Sequence, residues 1–417
     1  MSDVIVDWAP GLLSAGWRID KRRAPDRIPL PWLSYLQAPR HLRSWRAVSR
    51  FRRLATSDRF RDWWLKECGG DDPALKRFLL RFPVGVWDVP WELLIGELDR
   101  ERRMRISIVR GLPGDPTTLP SRFDRPMSVL VIKGDDGSLT GRARLELERE
   151  VALLLEAYDS LPTAHKRIMF RPQVCQPTLA EFPGLLAQAP DVLWLSGHGS
   201  DNPPAFILAD GSPLTPHGIG LAIASASAPP AFAAFWACDT GRVPKDNREA
   251  PSPPFYEALL RNGVASVLVM QAPVTDNGAI LMAQEVLQAL AAGDALDAAA
   301  VRARTVLLDA AETGKVDALD WACPVVWSSG LPAARLTWDS PEPQLAQLQA
   351  ASRRARLNRE GRAFFPPTPD ELELARRWAA APPCWVKGGD LAAHRERWIR
   401  VLIAMQVVVP GLPGVST

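Results

Sequence analysis

The chain has 417 residues, of which 47% are apolar and 23% are charged, and its formal net charge is +3. This composition excludes a chain that is disordered throughout, and the length suits one large α/β domain with extensions, or two domains. The five cysteines form an odd number and include no Cys-x-x-Cys pair. That pattern argues against a disulfide framework and against a zinc site, and it favours a reducing compartment.

The N-terminal residues carry no recognisable targeting signal. A basic segment followed by an apolar stretch and a small-residue cleavage site is not found there, so we expect a cytoplasmic location. The apolar run 398–409 is interrupted by Arg400 and Gln406 and is too short to cross a bilayer. We therefore predict no membrane-spanning segment.

The N-terminal region is rich in tryptophan and arginine. Residues 18–66 carry fourteen Lys or Arg against four Asp, with tryptophans between them. Such a segment could contact nucleic-acid phosphates, but no nucleic-acid-binding motif accompanies the charge. We favour an amphipathic helical layer whose arginines extend into water. Because prolines interrupt it, residues 1–80 are predicted to be a region of short helices, a compact prelude or a partner-docking module.

From residue 127 the pattern alternates between strand and helix. The predicted strands lie at 127–132, 167–170, 191–196, 231–237 and 265–270, and the predicted helices at 145–158, 178–188, 255–262, 279–291 and 295–309. This alternation predicts an α/β fold with a mostly parallel sheet flanked by helices on both faces. A further strand at 324–327 is predicted at the sheet edge, and Pro324 lies at its start, where proline is tolerated. We expect this domain to cover 81–338 and a helical C-terminal extension to cover 339–417.

Two of these strands lead to a reactive residue. His198 follows the strand 191–196, and Cys238 follows the strand 231–237. The crevice of an open α/β sheet lies beyond the carboxyl ends of its strands, so the two side chains can face each other across it. An imidazole can take the proton of a thiol. The pair predicts a cysteine hydrolase, with His198 as base, Cys238 as nucleophile, and the backbone N–H groups of Gly199 and Cys238 as oxyanion donors.

Each half of this pair is a weak signal alone. A lone histidine is more often structural than catalytic, and a cysteine at a strand end is usually a small apolar residue. It is their common position at strand ends that favours chemistry.

Three further residues are candidates for substrate binding. Asp276 follows the strand 265–270, where it could bind a basic side chain or cap the next helix. Asp239 lies beside Cys238, although a role in the turn is favoured for it. Trp194, with Trp236, could line an apolar pocket. The side chain preferred at the cleavage site therefore stays open between a basic and an apolar residue.

Four segments together resemble the CHAT domain, a caspase-like peptidase domain related to caspases and separase. They are Trp87-Asp-Val-Pro-Trp-Glu-Leu-Leu94, Ser196-Gly-His-Gly199, Trp236-Ala-Cys-Asp-Thr-Gly241, and Asn262-Gly-Val-Ala-Ser-Val267 with Trp321-Ala-Cys-Pro-Val325. The resemblance covers roughly residues 75–335. It implies a peptidase in which His198 is the general base and Cys238 the nucleophile, acting on a protein substrate without metal or organic cofactor.

The resemblance has consequences for partners. Some CHAT proteins belong to bacterial defence and cell-death systems, so a protein substrate or partner encoded nearby is expected. An activating partner would bind the N- or C-terminal region. The loop 242–254 is charged and rich in proline, which predicts an exposed segment that gates the crevice or is cleaved on activation.

Two other classes remain as alternatives. One is a catalytically inactive scaffold of the same fold that binds a partner protein. The other is a nucleotide-binding domain, which lacks support because no Gly-rich phosphate loop follows the first predicted strand of the alternating region; the segment Lys133-Gly-Asp-Asp-Gly137 is acidic there.

Overall fold

The structure is a computed structural model of the chain. It describes residues 3–10, 14–19, 22–29, 76–81, 91–92, 106–112, 122–123, 126–138, 144–201, 204–238, 240, 253–330 and 336–338. The core lies within these residues, along a single large sheet.

Eleven of the described strands form that sheet, in the order β3-β2-β1-β4-β5-β15-β14-β13-β9-β7-β8. Their bounds are β1 Asp3–Pro10, β2 Ser14–Ile19, β3 Arg22–Pro29, β4 Lys76–Arg81, β5 Ile106–Gly111, β7 Val129–Lys133, β8 Gln173–Cys175, β9 Val192–Ser196, β13 Phe232–Trp236, β14 Ser266–Met270 and β15 Pro324–Ser328. Strands β10 (Gly199–Asp201), β11 (Pro204–Ile207) and β12 (Pro213–Leu214) form a small antiparallel sheet. Strands β6 (Arg122–Phe123) and β16 (Thr337–Trp338) form a parallel pair.

The large sheet is mostly parallel. Strands β8, β7, β9, β13 and β14 run in one direction. Strand β15 is antiparallel to β14 and parallel to β5, and β4 and β1 continue in that second direction. Strands β1, β2 and β3 close the sheet as an antiparallel meander.

The described helices form two packed groups along the sheet. Their bounds are α1 Leu147–Asp159, α2 Thr163–Lys166, α3 Phe182–Leu186, α4 Pro216–Ala224, α5 Phe255–Arg261, α6 Asp276–Ala291 and α7 Leu296–Glu312. Helix α6 packs against both α1 and α7, whereas α4 packs against α3 and α5. None of these helices combines the length and the apolar character needed to cross a membrane.

The central strands form because they are apolar except for one end residue in each of β7, β9 and β14. Every residue of β7, β9, β13 and β14 is buried, which is typical of parallel strands covered by helices on both faces. The predicted α/β class, a mostly parallel sheet flanked by helices, is confirmed, as are the strands at 191–196, 231–237 and 265–270.

The helical prediction for the N-terminal region is wrong where the structure describes it. Residues 3–29 contain the three strands β1 to β3, and β4 lies at 76–81. Proline breaks helices, but Pro25 lies in β3, which is the last strand of the sheet, and edge strands tolerate proline. Residues 30–75, and with them most of the basic segment, lie outside the described residues.

Three other predictions of secondary structure differ from the structure or fall outside the described residues. Strand β15 lies inside the sheet between β14 and β5, not at an edge, and Pro324 is accommodated as its first residue. The strand predicted at 167–170 is a single bridge between Met127 and Met169, and the true strand is Gln173–Cys175. The predicted C-terminal helices at 339–417 and most of the loop 242–254 lie outside the described residues.

Candidate active site

His198 and Cys238 follow two neighbouring strands at the same level. Strands β9 and β13 are parallel partners, and Ser196 is paired with Trp236 in their register. His198 and Cys238 each lie two residues beyond that pair, and the Gly197 N–H donates to the Trp236 carbonyl at 3.3 Å. The structure therefore brings both residues to one edge of the sheet, where both are partly exposed.

The backbone after His198 lies directly against the backbone of Cys238. A Cβ on Gly199 would be 2.2 Å from the Cys238 carbonyl oxygen and 3.3 Å from Cγ2 of Thr240, so only glycine permits this approach. The His198 carbonyl is also held, because it accepts from the Ile207 N–H at 3.0 Å. Gly199 and Cys238, the predicted oxyanion donors, are thus in contact, and Cys238 is not in a disulfide.

Thr240 supports the turn that contains Cys238, a role that the sequence prediction missed. Its hydroxyl donates to the Ala237 carbonyl at 2.9 Å and accepts from the Met270 N–H at 3.4 Å. The side chain is buried, so the hydroxyl connects the end of β13 to β14. The signal was present in the sequence, since Thr240 belongs to the motif that resembles the CHAT segment.

Glu150 lies beneath the residues that lead to His198 and was also missed. It belongs to α1, and its Oε1 accepts from the Ser196 Oγ at 2.6 Å at the end of β9. Burial raises the pKa of Glu150 to about 7, the hydrogen bond from Ser196 opposes this, and the negative charge of Asp276 adds to it. Helical periodicity could have found it, because Glu150 shares the buried face of α1 with Leu147 and Leu154.

Asp276 is the first residue of α6, and its neighbour is the cap. The Thr275 side chain accepts from the Gly278 N–H, so the interpretation of Asp276 as an N-cap is wrong by one residue. Thr275 is in turn held by Asp320, whose Oδ1 accepts from the Thr275 N–H at 3.2 Å. Asp276 is partly exposed, and its charge reaches Glu150 beside β9.

The two tryptophans of the predicted apolar pocket are buried in the core. Trp194 is 0% exposed and Trp236 is 3% exposed, and their ring centroids are 4.8 Å apart. Their indole N–H groups have no hydrogen-bond partner. In this structure Trp194 therefore packs beneath the site and does not line an open surface. Asp239 lies outside the described residues.

A polar cavity of about 660 Å³ lies beside this site, beyond the carboxyl end of β7. Its lining includes Lys133, Gly134, Asp135, Glu148 and Gln176. The Gly134 N–H donates to the Ser196 carbonyl at 2.8 Å, so the cavity adjoins the end of β9. Lys133 is nearly buried and pairs with the exposed Glu148 at its rim.

The family model of the CHAT domain matches residues 71–333 of this chain. The chain belongs to the CHAT domain family. Among curated proteins nothing matches. Solved structures show distant likeness: gingipain R, an Arg-specific cysteine proteinase, has 11% identity over 67% of this chain and 69% of its own, with a TM-score of 0.46.

Two further solved structures also show distant likeness. The complex of RgpB pro- and mature domains from Porphyromonas gingivalis has 13% identity over 67% of this chain and 71% of its own, with a TM-score of 0.46. The Saccharomyces cerevisiae separase–securin complex has 15% identity over 61% of this chain and 16% of its own, with a TM-score of 0.37.

One CHAT segment is structural in this chain. Trp91 and Glu92, from the segment 87–94, are both buried. The buried Arg110 donates through Nε to Glu92 at 2.9 Å and through Nη2 to the Gln271 side chain at 3.0 Å. Through Arg110, Glu92 is therefore linked to β5 and to the residue that follows β14.

Proposed function

We propose that this CHAT protein is a cysteine endopeptidase in which His198 and Cys238 act as a dyad on a protein substrate. The observation that carries the proposal is the common level of the two residues on adjacent parallel strands. The close approach of Gly199 to the Cys238 carbonyl supports it as well, because it fixes the backbone after His198 against the turn that contains Cys238.

The proposed reaction has two steps. The Cys238 Sγ attacks the peptide carbonyl carbon while its proton passes to His198, and the C–N bond breaks as His198 gives that proton to the leaving amine. A water then loses a proton to His198 and attacks the thioester, which releases the new carboxyl terminus and restores the thiol. Backbone N–H groups of Gly199 and Cys238 would stabilise the oxyanion, each by about 3 kcal/mol.

We further propose that Asp276 contributes to recognition of the substrate. The alternative, an apolar pocket formed by Trp194 and Trp236, loses support because both rings are enclosed in the core. Asp276 is partly exposed, and its charge acts on Glu150, which bonds to Ser196 at the end of β9. A carboxylate there favours Arg or Lys in the substrate. Asp239 remains a second candidate beside the nucleophile.

A catalytically inactive scaffold is the competing function, and thiol reactivity separates the two. Cys175 is the internal control, since it is as partly exposed as Cys238, while burial raises the pKa of its thiol. Iodoacetamide should alkylate Cys238 at neutral pH roughly tenfold faster than Cys175. In His198→Ala the alkylation rate of Cys238 should fall, while that of Cys175 should stay the same. Equal and slow alkylation of both cysteines in the unmodified chain would favour the scaffold.

Substrate and cleavage site require a separate experiment. The chain and its Cys238→Ala variant are each co-expressed with the products of neighbouring genes, and new protein termini are identified by mass spectrometry. Termini that appear only with the active chain reveal the substrate and the residue preceding the cut. We expect a substrate or activating partner of this kind, including one from a bacterial defence or cell-death system; cleavage that persists in Cys238→Ala would overturn the proposal.

A further inference from the structure

Glu150 is a buried acid that has no role in the proposed two-step reaction. It is 7% exposed, and its carboxyl group accepts the 2.6 Å hydrogen bond of the Ser196 hydroxyl. A buried carboxyl group is unfavourable unless its environment holds it. The position of Glu150 at the end of a strand that leads to a reactive histidine therefore suggests a function.

Ser196 joins three parts of the site. Its carbonyl accepts from the Gly134 N–H at 2.8 Å, its backbone pairs with Trp236 of β13, and its hydroxyl reaches Glu150 on α1. Of these, only the bond to Glu150 ties the strand end to a helix. Two residues later the chain reaches His198.

We propose that Glu150 is a positioning residue of the peptidase site: through Ser196 it holds the end of β9 so that His198 stays opposite Cys238. The proposal rests on the proposed function and adds a residue to its site. Glu150 touches neither substrate nor the reacting atoms; it acts through the Ser196 hydroxyl. A carboxylate accepts this hydrogen bond about twice as strongly as a neutral group does. Glu150 therefore fixes the end of β9 more firmly when it is ionised.

The charges around Glu150 affect its pKa, and so the pH at which its hydrogen bond with Ser196 weakens. From α6 it faces Asp276, whose charge together with burial brings the pKa of Glu150 to about 7. From β9 it faces the neutral Ser196. Lys133 on β7 is paired with Glu148 of α1. Below neutral pH the carboxyl group is protonated and the bond weakens.

The test measures alkylation of Cys238 by iodoacetamide from pH 6 to pH 8 in the full chain and in Glu150→Gln. The ratio of the unmodified chain's rate to the variant's should be near one at pH 6 and should rise to roughly fivefold at pH 8, where only the unmodified chain carries the charge. A packing defect would give a ratio that does not change with pH. Glu156→Gln is the matched control, because Glu156 is exposed on the same helix.

Ser196→Ala keeps the proposal testable if Glu150→Gln folds poorly. This variant removes the hydroxyl but leaves the acid, and its rate at pH 8 should fall at least to the level of Glu150→Gln. The double variant should be no slower than Ser196→Ala, since that substitution already removes the bond that Glu150→Gln weakens. Additive losses, or a ratio that is flat with pH, overturn the positioning role. A Cys238 that is unreactive in the unmodified chain overturns the peptidase proposal instead, so the two failures are distinguishable.

Discussion

Gly199, which lies beyond the end of β9, and Cys238, which lies beyond the end of β13, are so close that a Cβ on residue 199 would lie 2.2 Å from the Cys238 carbonyl oxygen. The atom nearest to that Cβ is a backbone oxygen, which cannot rotate away as the end of a flexible side chain could. Any larger residue at 199 must therefore move the backbone after His198 or the turn at Cys238.

Gly199→Ala should consequently lower the catalytic activity by about two orders of magnitude, because a displacement near 1 Å is enough for such a loss. The measurement is kcat/KM on a substrate peptide, or the alkylation rate of Cys238 before a substrate is known. Gly184→Ala is the matched control: no atom lies within 4 Å of the added Cβ, and activity should be unchanged. Full activity in Gly199→Ala would contradict the contact.

Thr240→Val should uncouple the Cys238 turn from β14. The methyl group replaces a buried hydroxyl that bonds to Ala237 and Met270, and it leaves the Ala237 carbonyl and the Met270 N–H without that partner. We expect a loss of about 1–3 kcal/mol in the free energy of unfolding together with slower alkylation of Cys238. Thr240→Ser keeps the hydroxyl and should restore both values; a Val variant as stable and reactive as the unmodified chain would show that the hydroxyl is dispensable.

The stability of the chain should depend on the protonation of Glu150. Burial raises its pKa from 4.5 to about 7, so the folded state binds this proton more tightly than the unfolded state does. The protonated carboxyl group therefore contributes about 3 kcal/mol to the free energy of unfolding. This contribution is fully present below pH 4.5 and is lost as the pH rises through 7.

The corresponding measurement is urea unfolding at pH 5 and pH 8. Relative to Glu150→Gln, the unmodified chain should lose about 2.5 kcal/mol of unfolding free energy between the two conditions. Glu156→Gln, which alters an exposed acid, should track the unmodified chain at both pH values. If Glu150→Gln and the unmodified chain fall in parallel, the carboxyl group is not the source of the pH dependence.

Glu92→Leu should destabilise the fold by about 3–5 kcal/mol, because it leaves the buried Arg110 without its acid. The exposed pair of Arg149 and Glu146 provides the comparison: Glu146→Gln should change stability by less than about 0.5 kcal/mol. Thermal unfolding of both variants measures the difference. A mild effect of Glu92→Leu would mean that the guanidinium finds another partner or water.

The central strands could be predicted because their apolar composition indicates that they are buried. Strands β9, β13 and β14 are apolar at every position or nearly so, and the structure reproduces them within one residue of the predicted bounds. The N-terminal strands could not be predicted, since proline and charge alone do not reveal that a segment pairs at a sheet edge. The interior position of β15 depends on β5, which lies more than 200 residues earlier in the chain.

Two side chains of the site show the same limit of prediction from local sequence. Glu150 is one of several acids on a helix, and only the packing of α1 against β9 separates it from its exposed neighbours. Trp194 was a candidate for an apolar substrate pocket, yet it is fully buried in the core against Trp236. Burial of one side chain depends on elements distant in sequence, which local pattern does not encode.

By itself the sequence determined the α/β class, the order of the central strands and helices, and the strand ends that carry His198 and Cys238, since these depend on local hydrophobic periodicity. Only the tertiary structure decided that β9 and β13 are neighbours in register, that Gly199 touches Cys238, and that Glu150 lies beneath the site. Those relationships arise from long-range packing, in which sheet order and helix placement bring together residues that have no local signal for one another.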